Sequence, residues 1–130
     1  MSWDDVNDIL LPALENLHNL KYLYIGSGAS VRDISPLEKL KNLIVLYIEN
    51  FKRVEDYSLL ATLDKLEQLI ISGPTLGHTT IADLDFLREM QNLISFWKPN
   101  TIVKRKYTLE ELNILCAVLP NLTYLHDSSL

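Results

Sequence analysis

The residues of this 130-residue chain whose types could carry acid–base, nucleophilic or metal chemistry are three histidines, one cysteine and a set of regularly placed aspartates. His18, His78 and His126 are far apart and lack the i, i+4 or Cys-x-x-Cys company that a metal site needs. His126 and Asp127 are neighbours, and in a strand neighbours point to opposite faces, so they cannot form a simple dyad. Gly26-Ser-Gly28 is too short for a phosphate-binding loop. Cys116 has no internal disulfide partner and reads as a small apolar residue in a helix. No catalytic residue, metal or cofactor is therefore expected, and the chain is not expected to be an enzyme.

The aspartates point elsewhere. Val6-Asn-Asp8-Ile9, Val31-Arg-Asp33-Ile34, Val54-Glu-Asp56-Tyr57 and Ile81-Ala-Asp83-Leu84 share one order: β-branched, any, Asp, apolar. An aspartate in a fixed place before each of four helical turns is suited to accept hydrogen bonds from the turn's backbone N–H groups. In the second connection Ser35-Pro36-Leu37-Glu38 adds a capping-box spacing with proline at the first helical position.

These connections belong to a repeat. Numbering each unit from the leucine of its "NL" or equivalent pair places the starts at Leu20, Leu43, Leu66, Leu93 and Leu122, with spacings of 23, 23, 27 and 29 residues. Positions one, four and six are apolar: Leu20, Leu23, Ile25; Leu43, Leu46, Ile48; Leu66, Leu69, Ile71; Leu93 and Phe96; Leu122 and Leu125. Lys98 and Asp127 are the exceptions at position six. Positions four and six are two apart, which is the strand period, so both side chains face one way. Upstream, Leu14/Leu17, Leu37/Leu40, Leu60/Leu63 and Leu87/Met90 are three apart, a helical spacing. Each unit is thus a turn of helix feeding a short strand. A single unit cannot bury its leucines, but stacked units form a parallel sheet with a continuous apolar ladder behind it.

The pattern L-x-x-L-x-N-L-x-x-L-x-[LI] resembles the leucine-rich repeat. The segment Val31-Arg-Asp33-Ile34-Ser-Pro36-Leu37 resembles the "I-x-D-I-x-P-L" connection of the internalin and phosphatase-regulator subclass. The resemblance covers nearly the whole chain and implies an α/β leucine-rich-repeat solenoid of about five repeats, with the parallel sheet on the concave side and helical turns on the convex side. A right-handed crossover is expected, as is a protein partner.

Three departures from regularity are informative. Residues 2–19 read as a helical N-terminal cap and first convex segment, opened by the capping-box spacing of Ser2 and Asp5 and interrupted by Pro12, with Trp3, Val6, Ile9 and Leu10 over the open end of the ladder. Repeats one to four occupy 20–107. The third carries an irregular loop from Gly73 to Thr80; loops of this kind often lie on a binding face, and a spacer without function is the equal alternative. In the fourth, Lys98 stands where an inward leucine is expected; either the strand ends one residue early, which Pro99 favours, or the lysine snorkels at the rim. The remainder, 108–130, reads as a helix opened by the Thr108/Glu111 capping box, with Leu109, Leu112, Leu115 and Leu119 on one face, followed by a last strand. All of this forms one domain over 1–130.

What is left for function is the outward face of the sheet, where stacking aligns positions three, five and seven in columns. The third-position column is Tyr22, Val45, Gln68, Ser95, Tyr124; the fifth is Tyr24, Tyr47, Ile70, Trp97, His126; the seventh is Gly26, Glu49, Ser72, Pro99, Ser128. Aromatic residues suit strands by propensity and stack on one another, yet a middle column so apolar on a solvent-facing sheet points to binding. The expected partner-binding residues are Tyr22, Tyr24, Val45, Tyr47, Glu49, Gln68, Ile70, Trp97, Tyr124 and His126.

Net charge is −5, and Lys104-Arg105-Lys106 is the one basic run, so a nucleic-acid partner is not expected. No apolar stretch approaches the roughly 20 residues of a membrane span. The acidic start, MSWDDVNDIL, lacks the form of an export signal, and a cytoplasmic protein is expected. Non-catalytic recognition of a protein through the concave sheet is the leading expectation. The alternatives are an enzyme inhibitor or immunity-type protein, and a self-assembling structural piece. A homodimer through the edge of the last strand, guarded by Asp127, is a further expectation.

Overall fold

A computed structural model of the chain describes residues 1–4 and 6–125, with Tyr124 described by its backbone. Its main sheet has six parallel strands among the described residues: β1 (Ser2–Trp3), β2 (Tyr22–Ile25), β3 (Val45–Glu49), β4 (Gln68–Ser72), β6 (Ser95–Trp97) and β8 (Tyr124–Leu125), side by side in that order. Two further strands, β5 (Thr79–Ile81) and β7 (Thr101–Val103), pair in parallel as a separate small sheet. The five strands expected from the repeat begin at position three of each unit, and the register follows the numbering: Tyr22 lies opposite Val45, Val45 opposite Gln68, Gln68 opposite Ser95 and Ser95 opposite Tyr124.

The strands return through 3-10 turns at Leu11–Asn16, Ser35–Lys39, Ser58–Thr62 and Asp85–Glu89. In a 3-10 helix residues three apart eclipse one another, so leucines at that spacing share one face. Leu37/Leu40, Leu60/Leu63 and Leu87/Met90 are all buried against the ladder of Leu23, Ile25, Leu43, Leu46, Ile48, Leu66, Leu69, Ile71, Leu93 and Phe96. At about 1.5 to 3 kcal/mol for each fully buried aliphatic side chain, this ladder is the main stabilising element.

Before three of the turns the aspartates do what their placement predicts. The carboxylates of Asp33, Asp56 and Asp83 accept the N–H groups of Ser35, Ser58 and Asp85, each at 2.9 Å. These are side-chain turns two residues long, and the Ser35/Glu38 capping box does not form. Asp8 departs from the pattern: its carboxylate accepts from Arg32 and Asp33 N–H in the next repeat, at 2.9 and 3.1 Å. Asn7 takes over in the first turn, accepting from Ile9 and Leu10. The donated N–H groups hold the Asp8 carboxyl below its usual range, and the bond from Ser58 does the same for Asp56.

The N-terminal segment differs from the helix expected at 2–19. Ser2–Trp3 is a strand because the edge of β2 offers unpaired backbone groups: Tyr24 and Gly26 N–H donate to the carbonyls of Met1 and Trp3, both at 2.8 Å. Pro12 opens the 3-10 turn rather than interrupting a longer helix, since its fixed φ suits a first turn. Val6, Leu11 and Leu14 close the ladder, with Trp3 packed half-buried beside them, whereas Ile9 is 87% exposed and Leu10 lies outside.

The Gly73–Thr80 segment is not simply a loop. Its last residues form β5, which pairs with β7 from the extra residues of repeat four. Gly73 N–H donates to the Pro99 carbonyl at 2.8 Å, Thr79 N–H to Asn100 at 3.0 Å, and the Asn100 amide to Pro74 at 3.0 Å. A Cβ on Gly73 would collide with the Asn100 carbonyl, so only glycine permits this approach. The strand of repeat four does end early, at Trp97, but Lys98 does not snorkel: its side chain is 0% exposed, with Nζ 3.5 Å from the Thr101 carbonyl.

Helix α1 (Leu109–Ala117) starts at the expected capping box. Glu111 N–H donates to Thr108 Oγ1 at 3.1 Å, and Thr108 N–H to the Glu111 carboxylate at 3.2 Å. Leu112, Leu115 and Leu119 are buried; Leu109, in the first turn, is 67% exposed and is not part of that face. Arg105 ties the helix to the solenoid, donating to Asp85 at 2.6 Å and Glu111 at 3.0 Å while lying over the Tyr107 ring.

Candidate recognition surface

The outward side chains of the main sheet stand where the repeat spacing puts them. Tyr24, Tyr47, Ile70 and Trp97 face one another in unbroken register across β2, β3, β4 and β6. Tyr22 is 58% exposed and Trp97 43%, while Tyr24, Tyr47, Val45, Glu49 and Ile70 are half-buried and Gln68 is exposed. Each strand holds its residue by ladder bonds at its own backbone, so the column is a rigid row about 4.8 Å from ring to ring at the Cα level.

Two clusters form along this row. In the first, the Tyr24 and Tyr47 ring centroids are 4.7 Å apart and tilted by 57°, and the Tyr24 hydroxyl donates to Glu49 Oε2 at 2.9 Å. That bond, with partial burial and the negative charge of Glu49, pushes the Tyr24 hydroxyl up to about 12. In the second, Tyr47, Gln68, Ile70, Ser95, Trp97 and Pro99 line a hollow of about 220 Å³. Tyr22 and Val45 lie towards the other end of the face and do not line it. Tyr124 is opposite Ser95 at the backbone, and His126, with Asp127 and Ser128, lies outside the described residues.

A larger hollow, about 720 Å³, lies where the strands begin, lined by Lys21, Asn42, Ile44, Lys65, Glu67 and neighbours in later repeats. Several of its polar groups are engaged in holding repeats together. The Asn42, Asn92 and Asn121 amides donate to carbonyls of His18, Asp64 and Gln91 in the preceding repeat, and Lys65 Nζ donates to Asn42 Oδ1 at 2.8 Å. The asparagine of the "NL" pair is thus a structural bridge, a role its regular recurrence signals and the reading of leucines alone passes over. The smaller hollow, by contrast, lies on the outward face of the sheet beside the aromatic row.

Among the described residues, no three His, Cys, Asp or Glu side chains come together to hold a metal ion, and no helix is long and apolar enough to cross a membrane. Parallel strands, 3-10 turns and an inner ladder of apolar side chains make the fold a leucine-rich-repeat solenoid. The crystal structure of internalin C2 from Listeria monocytogenes is similar over 91% of the chain, with a TM-score of 0.61 and 26% identity. Internalin F from the same organism is similar over 92%, with a TM-score of 0.49 and 21% identity. The chain spans 49% and 44% of those two structures, about half their length. No family model and no curated protein sequence matches it.

Proposed function

We propose that the protein is a non-catalytic recognition module that binds another protein through the concave face of its sheet. The observation that carries this reading is the Tyr24–Tyr47–Ile70–Trp97 row, held in register on the solvent side and bordered by a hollow. Tyrosine and tryptophan supply large contact area at low entropic cost, and rigid presentation avoids an ordering cost on binding. The internalin-like fold supports the module reading, and the exposed Cys116 thiol accords with a reducing compartment such as the cytoplasm.

The test is capture from native lysate with the wild type and with Tyr47→Ser/Trp97→Ser. Both side chains are outward, so the double variant is expected to keep its circular dichroism spectrum and lose its partners. Retention of every partner by a folded variant sinks the concave-face reading. Association of two copies by pairing of sheet edges is the second reading; light scattering at two concentrations distinguishes it from a monomer.

A further inference from the structure

The hollow between Tyr47 and Trp97 has a chemistry more specific than an apolar patch. The two rings stand on β3 and β6 with β4 between them, about 9.6 Å apart at the backbone by two strand spacings, and the shorter Ile70 forms the floor. One side chain fits there; at about 220 Å³ the space is below the 300 Å³ or more usual for small-molecule sites. Along its sides are three polar groups, the Tyr47 hydroxyl, the Gln68 amide and the Ser95 hydroxyl, and none hydrogen-bonds to another described residue. Glu49 stands outside this lining, two residues beyond Tyr47 on the same face and opposite Ser72 in register. One of its carboxylate oxygens accepts from Tyr24, and the other accepts from no described residue.

Charge favours one kind of occupant. Of the described positions three, five and seven, Glu49 alone carries a formal charge, and none is a lysine or arginine. Asp4 adds a second negative charge beside Tyr24. An aliphatic or aromatic side chain entering the hollow would dehydrate the three polar groups without pairing them. An ammonium group could satisfy one or two of them but would lose its hydration between two rings. A guanidinium is planar, stacks on aromatic faces, is weakly hydrated, and presents donors around its edge to several acceptors at once.

We infer that this hollow is a receptor for an arginine side chain from a basic segment of the partner protein, stacked between Tyr47 and Trp97 over Ile70 and paired with Glu49. The inference rests on the concave-face reading and narrows the partner to one presenting an exposed arginine.

A displayed library of random linear peptides panned against the intact protein tests it, followed by affinity measurements on the enriched peptides. The expected result is one fixed arginine among the enriched sequences. Replacing that arginine by lysine in a synthetic peptide should weaken binding about tenfold, the loss of stacking and multiple donation. Glu49→Gln, whose amide oxygen still accepts from Tyr24, should weaken it severalfold and reduce its salt dependence. Enrichment of aromatic, aliphatic or acidic anchors whose binding is abolished by Tyr47→Ser/Trp97→Ser overturns the arginine receptor and leaves the concave-face reading standing. Peptides that bind the folded double variant as well as the wild type overturn both. Failure to enrich any peptide also counts against the receptor, because a preformed slot for one side chain should select it from a random library.

Discussion

The turns that leave repeats one and two and those that leave repeats three and four start from the same backbone position and solve the return to the convex side differently. At position eight, Ser27 and Asn50 adopt left-handed φ of 55° and 58°, and the chain turns back at once. Asn100 does the same at 51°, but position eight of repeat three is Gly73, and the left-handed residue there is Gly77, at 97°. The extra residues of repeats three and four are accommodated by pairing with each other as β5 and β7, and not by hanging free as loops. Two insertions in adjacent repeats can cover each other's backbone groups; one alone would leave a free edge. Lengthening a solenoid turn is therefore tolerated most readily in neighbouring pairs.

Substitution at Gly73 should break this difference most sharply. A Cβ there meets the backbone carbonyl of Asn100, which cannot swing aside as a side chain would. Gly73→Ala is expected to cost about 2 to 3 kcal/mol by forcing the two extra segments apart, seen as a lower urea midpoint. An unchanged midpoint would show that the close approach is dispensable.

Asp56 tests the short turn that follows repeat two. Asp56→Ala removes the acceptor for Ser58 N–H and should cost about 1 kcal/mol at neutral pH. Because folding depresses the Asp56 carboxyl, its contribution is present above the unfolded value of about 3.9 and disappears as pH falls through the lower folded value. The gap in stability between wild type and variant should hence close below about pH 4. Urea unfolding at several acidic pH values checks this, and a gap that widens towards acid contradicts it.

The smallest effect is expected at Ser27, whose left-handed conformation disfavours a residue with a Cβ. Ser27→Gly should be neutral or stabilising by at most about 1 kcal/mol, the relief of strain being offset by a more flexible unfolded chain. A loss of stability in thermal unfolding would mean that the serine side chain has a role beyond its turn.

Much of this architecture was legible in the chain. The leucine spacing places five strands and their register because inward and outward residues alternate by strand geometry, and a slip of one residue would expose every leucine. The same spacing places Tyr47, Gln68, Ile70 and Trp97 together on the outward face of the sheet. What escaped are features decided by tertiary partners. Ser2–Trp3 has the local look of a capped helix start, and only the free edge of β2 makes it a strand. Thr79–Ile81 and Thr101–Val103 are short β-branched runs that carry little signal singly, and they fall at different positions of their repeats, so the repeat numbering does not align them. Asp8 fits the capping pattern as well as its three counterparts do, and Asn7 displaces it at short range. The Tyr24–Glu49 hydrogen bond joins residues 25 apart, and it needs a side-chain direction that spacing alone does not specify.

The clasp between the Gly73 segment and Asn100 has a further consequence for how the molecule opens. In a solenoid each repeat contacts only its neighbours, and units can fray from the ends nearly independently. Repeats three and four share an additional parallel strand pair and the backbone bonds that Gly73, Thr79 and Asn100 make across their boundary. Separating them requires both sheets to part in one event, so these two repeats form a single cooperative block of roughly fifty residues, while repeats one and two remain two steps on the opening pathway. The hollow of the concave face takes Ile70 on β4 and Trp97 on β6 from that block but Tyr47 on β3 from repeat two, so opening from the N-terminal side removes one of its two rings as soon as repeat two parts.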